Sequence, residues 1–320
     1  MYYIERNVIT DAMFLAGSVA EPSPTETVWA PGTWAVGAEV IRPSIHRVFR
    51  CAVPRTAADN QPPELDTNSW ADMRATDRYR PFGPNVRADG KLVYEGKPLQ
   101  LTTGNIVFCQ AQRFADAVAI FGAKGGFWRV QVYNKPVAEG GVLAKEYEGR
   151  IKSPATGYKN YAYGQRYTTD RILVHGMPIF PNAEVRVSIE GSGSQLRAVS
   201  QIEVGKLRYI PGIHGGGVEY GLLRSPRVFT ATKTEPDGST SVLIYGYSDD
   251  MSGTVAFSGK QEDPALVQFR RLLGRGVAYA PTLLPGYQQS LAFGILTASD
   301  VSRNETSDSS ARFEIKGLKV

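Results

Sequence analysis

The densest run of chemistry-bearing side chains is Trp29 to Ala52, WAPGTWAVGAEVIRPSIHRVFRCA, where Trp29 and Trp34 precede His46 and Cys51. Imidazole and thiolate suggest a metal, and tryptophan faces suggest stacking on a sugar ring or a protein partner. Metal ligation requires ligand atoms that converge. His46 and Cys51 stand five residues apart, a spacing that on a strand sends the side chains to opposite faces. His175 and His214 are distant, and the chain has neither a CxxC nor an HxxxH pattern. No metal and no other cofactor is expected.

Catalysis finds equally little to stand on. A nucleophile needs a neighbouring base, and no GxSxG elbow occurs. The segment GSGSQ, Gly191–Gln195, reads as a hairpin tip. Glycoside hydrolysis needs two carboxylates across a cleft, and among 31 acidic residues spacing alone singles out no pair. GIHGGGVEYG, Gly212–Gly221, lacks the lysine and Ser/Thr of a phosphate loop and reads as a demanding turn. The expectation is a protein without a catalytic residue.

Aromatic recognition is better supported. Trp29, Trp34, Phe49, Trp70 and Tyr79 fall within one small unit. A unit of that size buries little surface, so some rings are expected to face out, as a glycan platform or a protein interface. The competing reading makes Trp34, Val40, Phe49 and Trp70 its miniature core.

The elements that must hold these residues read as short strands. Glycine (33), proline (20) and tyrosine (16) are plentiful while helical periodicity is scarce, which predicts a mainly β chain joined by turns. Residues 1–28 read as an extended N-terminal arm ending in AEPSPTET, with Tyr2, Tyr3, Ile4 and Met13, Phe14, Leu15 as its docking residues. Such an arm crosses to a neighbouring subunit or folds back on its own chain. Residues 29–80 form a small aromatic-rich antiparallel module with strands EVIRP and HRVFRCA. Residues 81–205 read as a β-sandwich. Within it Trp128, Val130 and Val132 share one face, and Ala183, Val185, Val187 and Ile189 oppose Glu184, Arg186 and Ser188. Ala111–Phe121 reads as a short helix or turn with Phe114, Val118 and Phe121 on one side. Residues 206–320 form a second β region, continuous with the first or separate, with a hairpin around EPDGS. Its helix over 264–273 has Asp263 as cap, Pro264 at the first position and Leu266, Phe269, Leu272 and Leu273 as its stripe.

Composition narrows the partners. The 36 basic and 31 acidic residues are interspersed; the densest basic spots, Phe269–Gly276 and Lys145–Lys152, are diluted by apolar or acidic neighbours, which argues against nucleic acid. No apolar run approaches the ~18–20 residues of a membrane span. Cys51 and Cys109 permit one bridge at most. The N-terminus has neither a basic start nor a continuous apolar stretch, so synthesis in the cytoplasm without a signal peptide is expected.

Two resemblances follow from these residues. The first segment resembles the small chitin- and cellulose-binding modules of secreted chitinases. Trp29 matches their first tryptophan, Trp34 the second aromatic, and Gly37 and Val40 the glycine and valine. Glu39 stands one place beyond their aspartate, while Phe49, Ala52, Pro62 and Trp70 match the later aromatic, alanine, loop proline and one member of a tryptophan pair. Ser69 replaces the other member. The order of the whole chain resembles virion structural proteins of tailed bacteriophages. The match rests on the joint TDRYRPFG (Thr76–Gly83), on DAVAIFGAKGGFWRVQVYN (Asp116–Asn134), on IPGIHGGGVEYGL and VLIYGYSDDMSGTVAFS, and on the terminal RFEIKGLKV. That resemblance implies a baseplate, collar or fibre-attachment component of a phage tail. It would be made in the host cytoplasm, built in symmetric homo-oligomeric copies and docked on other virion proteins. A receptor module that holds a host surface glycan is the alternative, and a polysaccharide-degrading enzyme the third reading.

Overall fold

A computed structural model describes residues 1–56, 61–152, 157–163, 168–212, 218–219, 221–234, 239–284, 287–303 and 308–319. Among them the chain is mainly β, and every strand pair within its sheets is antiparallel. Nine strands form the largest sheet, in the order Arg171–His175, Ala117–Phe121, Gln201–Tyr209, Tyr2–Arg6, Gly276–Ala280, Ala292–Arg303, Asp308–Gly317, Thr240–Ser258 and Leu223–Thr234. A four-stranded sheet packs over one end of it, ordered Leu143–Arg150, Phe127–Tyr133, Ala183–Glu190 and Ile106–Gln112. The aromatic module is a separate three-stranded sheet of Glu39–Arg42, Arg47–Cys51 and Trp70–Ala75.

Period-two alternation builds the sandwich core. Val130, Val132, Val185, Val187 and Ile189 from the smaller sheet meet Val118, Ile120, Ile172, Ile202 and Val204 from the larger. The larger sheet is covered on both faces: Val118 and Ile120 enter this core, while Ala117, Ala119 and Phe121 enter a second one with Ile4 and Phe293. That double burial explains why Ala111–Phe121 is not the helix or turn read from sequence. Ala111 and Gln112 end one strand, Phe114 turns at φ 52°, and Ala117–Phe121 is a strand buried throughout. A continuous apolar run of this length carries no period with which to tell strand from helix.

The sequence boundary at 205/206 cuts through the strand Gln201–Tyr209, so the two later regions share one sheet. Residues 1–28 take the second of the two courses open to them and fold back on their own chain. Tyr2–Arg6 is an inner strand of the large sheet, paired with Gln201–Tyr209 on one side and Gly276–Ala280 on the other. Its apolar character is two-faced: Met1 and Tyr3 enter the core beneath the long helix, and Ile4 enters the opposite one. Gly205 permits the close strand approach, since a Cβ there would lie 2.1 Å from the Glu5 carbonyl oxygen. Further on, Leu15 and Val19 donate backbone hydrogen bonds to Cys109 and Val107, which covers the edge of the four-stranded sheet.

The helix runs Glu262–Leu272 and buries Ala265, Phe269 and Leu272 against the sheet. It starts earlier than its sequence cap, so Gln261 precedes it and Pro264 is its third residue. Proline is tolerated there because first-turn N–H groups have no intrahelical acceptor. Leu273 ends up exposed rather than in the stripe. The EPDGS hairpin forms between Leu223–Thr234 and Thr240–Ser258, and its tip, 235–238, lies outside the described residues. Gly191–Gln195 is no hairpin tip: the strands flanking it, Ala183–Glu190 and Arg197–Val199, belong to different sheets. Most of Gly212–Gly221 lies outside the described residues.

Candidate functional site

The five rings singled out by sequence divide into two groups. Phe49 and Trp70 are buried in the module core with Val40 and Cys51, and Trp29 and Trp34 pack half-buried on its rim. Trp34 meets Trp70 edge-on at 6.2 Å, and its Nε1 donates to the Ala30 carbonyl oxygen at 3.1 Å. Trp29 is roofed by the Arg42 guanidinium at 4.9 Å. Phe49 and Trp70 are therefore core residues, and only Trp29 and Trp34 keep partly open faces. Tyr79 lies elsewhere, stacked on the His46 ring at 3.9 Å and edge-on to Phe14 at 5.2 Å.

His46 belongs to a cluster that sequence reading missed. It ends the turn between the first two module strands at φ 54°, a left-handed conformation uncommon outside glycine. From there Nδ1 faces the Glu21 carboxylate at 3.0 Å and Nε2 faces Asp11 at 3.2 Å. Thr76 donates to Glu21 at 2.5 Å and Tyr79 to Asp11 at 2.7 Å. Burial alone would lower the imidazole pKa, but the Glu21 hydrogen bond and charge, then Asp11, outweigh it and raise the value above the ordinary range. Burial and Asp11 likewise push the Tyr79 phenol far up.

Asp11, Glu21 and His46 are the types that ligate metals, and their ligand atoms converge. The geometry nevertheless suits an imidazolium. Each ring nitrogen already has a carboxylate acceptor, whereas a metal would have to displace one of those protons. Cys51, the expected partner of His46, points into the module core and donates to the Val53 carbonyl oxygen at 3.1 Å.

The joint Thr76–Gly83 is a buried polar knot. Asp77 accepts from Arg74 at 3.0 Å, Arg80 at 2.5 Å and Ser23 Oγ at 3.0 Å, and its backbone N–H donates to Glu26 at 2.9 Å. Arg47, 2% exposed, bonds Asp72 at 2.8 Å and Glu95 at 2.6 Å across the module. The expected assembly residues Met13, Phe14 and Leu15 are half-buried on the same chain, with Phe14 also against Phe82 at 5.7 Å.

What reaches outward is the hairpin. The strand Leu223–Thr234 has one neighbour and forms an edge of the large sheet. Only Met251–Ser258 of its partner pairs with Asp308–Gly317, so residues 240–250 are, among the described residues, strand-paired on one side alone. A bulge opposite Phe229 and Thr230, with Gly246 at φ 144°, marks the root of the ribbon. Thr230–Thr234 and residues 239–243 are exposed throughout, Val242 and Leu243 among them at 56% and 57%.

No helix among the described residues is long and apolar enough to cross a membrane. No protein-family model matches the chain, and neither a curated protein nor a solved structure matches it significantly.

Proposed function

We propose that the chain is a structural subunit of a bacteriophage tail, a baseplate, collar or fibre-attachment component that assembles in symmetric copies and docks neighbouring virion proteins. The observation that carries this reading is the outer part of the hairpin, Thr230–Thr234 and residues 239–243, exposed throughout and, among the described residues, without a strand neighbour beyond the hairpin itself. A two-stranded ribbon gains little stability alone in water, and its open edge and its Val242 and Leu243 side chains suit addition to another β protein. The sequence resemblance of TDRYRPFG and the long β region supports the same class. The joint supports it in another way, because Pro81 within it accepts a backbone hydrogen bond from Ile202 and so ties the module to the sheet on which the ribbon is built. The assembly element moves accordingly from the N-terminal segment, whose strand already has two partners, to the ribbon. On this reading the protein performs no catalytic step and works in the virion after synthesis in the host cytoplasm.

The test replaces Thr230–Leu243 with a short glycine-containing turn. The shortened protein should melt as the parent does yet fail to enter particles when it replaces the parent during phage production. Normal incorporation of the shortened chain, with copy number unchanged in a particle reconstruction, would remove the ribbon from assembly. Absence of the parent chain from purified particles would remove the whole reading.

A further inference from the structure

A cleft of ≈ 240 Å³ lies between the end of the Tyr2–Arg6 strand, the strand Gln201–Tyr209 and the segment from Tyr79 to Val86. Val8, Ile45, Phe82, Pro84 and Ile202 supply apolar walls. Glu203 lines it and is only 1% exposed. Its Oε1 accepts from Gln201 Nε2 at 2.6 Å, while its Oε2 has no partner among the described residues. Asn85 lines the same cleft, and its Nδ2 is likewise buried without a partner among them. Arg6 reaches in from the strand end, its Nη1 3.9 Å from Glu203 Oε1.

Two residues that line one cavity thus carry an unmet acceptor and an unmet donor, and a third brings a guanidinium at longer than hydrogen-bond range. Buried polar groups in folded proteins are normally satisfied, so a ligand that satisfies both orphans gains from each. The charges select its class. Arg6 opposes a cation, and Glu203, in the ionised form it takes above about pH 7, opposes an anion. A neutral group that both donates and accepts suits Arg6, Glu203 and Asn85 together, and a hydroxyl is such a group. Two adjacent ring hydroxyls can donate to Glu203 Oε2 and accept from Asn85 Nδ2 and Arg6, while the C–H face of the same ring rests on the apolar walls. The volume lies below the roughly 300–1,000 Å³ of drug-sized sites, which suits one ring rather than an oligomer.

We propose that this cleft binds a single neutral saccharide ring through adjacent hydroxyls, with Glu203 as acceptor and Asn85 and Arg6 as donors. The site is separate from the tryptophans of the module and does not depend on the assembly reading.

The test titrates the full chain at about pH 8, where Glu203 is ionised, with the methyl glycosides of glucose, galactose, mannose and N-acetylglucosamine, followed by NMR, with acetate and methylammonium as charged controls. At least one glycoside should bind with millimolar affinity, weaken at least tenfold in Glu203→Gln and in Asn85→Ala, and keep its affinity in Trp34→Ala. Asn85 Nδ2 makes no hydrogen bond within the described chain, so Asn85→Ala should fold and keeps the test alive if Glu203→Gln does not. The proposal falls if no glycoside binds at tens of millimolar. It falls equally if binding survives both cleft substitutions, if Trp34→Ala abolishes it, or if acetate or methylammonium takes the site instead.

Discussion

Arg171, at the start of one edge strand of the nine-stranded sheet, is ion-paired to Asp249 on the strand beside the other edge. The sheet therefore curls until its ends meet, and side chains rather than a backbone ladder hold the seam. Tyr247 reinforces it by donating to Asp170 at 2.6 Å, Arg224 bonds Asp249 at 2.6 Å, and Arg171 also donates to the Leu291 carbonyl oxygen at 2.9 Å. Burial would raise the Asp249 pKa, but Arg171 and Arg224 outweigh it and hold the carboxyl below its usual range.

Removing one side of this seam should be costly because the other side stays buried. Arg171→Ala is expected to lower stability by about 3 kcal/mol in urea unfolding. The double variant Arg171→Ala, Asp249→Ala should recover part of that loss, and the double-mutant cycle measures the coupling. Because the folded pKa of Asp249 is depressed, its contribution is present above the unfolded value of about 4 and fades as pH falls through the lower folded value. Additive single losses would show that the seam carries no coupling.

His46 should titrate above its ordinary value of about 6.5 in an NMR experiment, with Glu21→Gln bringing it back down. The sign follows from the raised folded pKa: the clamp stabilises fully below about pH 6.5 and loses its contribution as pH rises through the folded value. Glu21→Gln should cost about 2 kcal/mol at pH 6 and less at high pH, because it removes a hydrogen bond to a charged group. A wild-type pKa at or below 6.5 would refute the imidazolium clamp.

The module tryptophans should separate by burial. Trp70→Ala removes a ring from the module core and is expected to cost about 3–5 kcal/mol. Trp34 sits half-exposed on the rim, so Trp34→Ala should cost clearly less while leaving the melting cooperative. Equal losses from the two would contradict this division of core and rim.

What was legible in the sequence was local. Alternation in Ala183–Ile189 placed its apolar face correctly, the EPDGS turn located the hairpin, and Phe269 and Leu272 located the buried side of the helix. What stayed hidden was long-range. Sequence left Tyr2–Ile4 open between a neighbouring subunit and its own chain, because its strand partners, Arg208 and Tyr279, lie some two hundred residues and more away. The His46 cluster was hidden for the same reason. Its partners, Asp11 and Glu21, stand in a segment with no regular pattern, and only a turn at positive φ aims the ring at them. Glu203 gave no signal either, since a glutamate within IEVGK reads as the wet face of a strand.

Glu203 sets the last prediction. Complete burial raises its carboxyl pKa, with Arg6 and the Gln201 hydrogen bond opposing, and the balance leaves it at about 7. The unfolded chain has an ordinary glutamate near 4.3, so between that value and 7 the folded protein binds the extra proton. Stability must then fall as pH rises through this window, because deprotonation is easier in the unfolded state. Integrated over the window, the penalty is about 4 kcal/mol. Glu203→Gln keeps the shape and an amide oxygen that still accepts from Gln201, but it does not titrate. The variant should match the parent near pH 4.5 and exceed it by about 4 kcal/mol above pH 7 in chemical denaturation. A stability difference that stays constant between pH 4.5 and 8 would show that Glu203 does not titrate in this window.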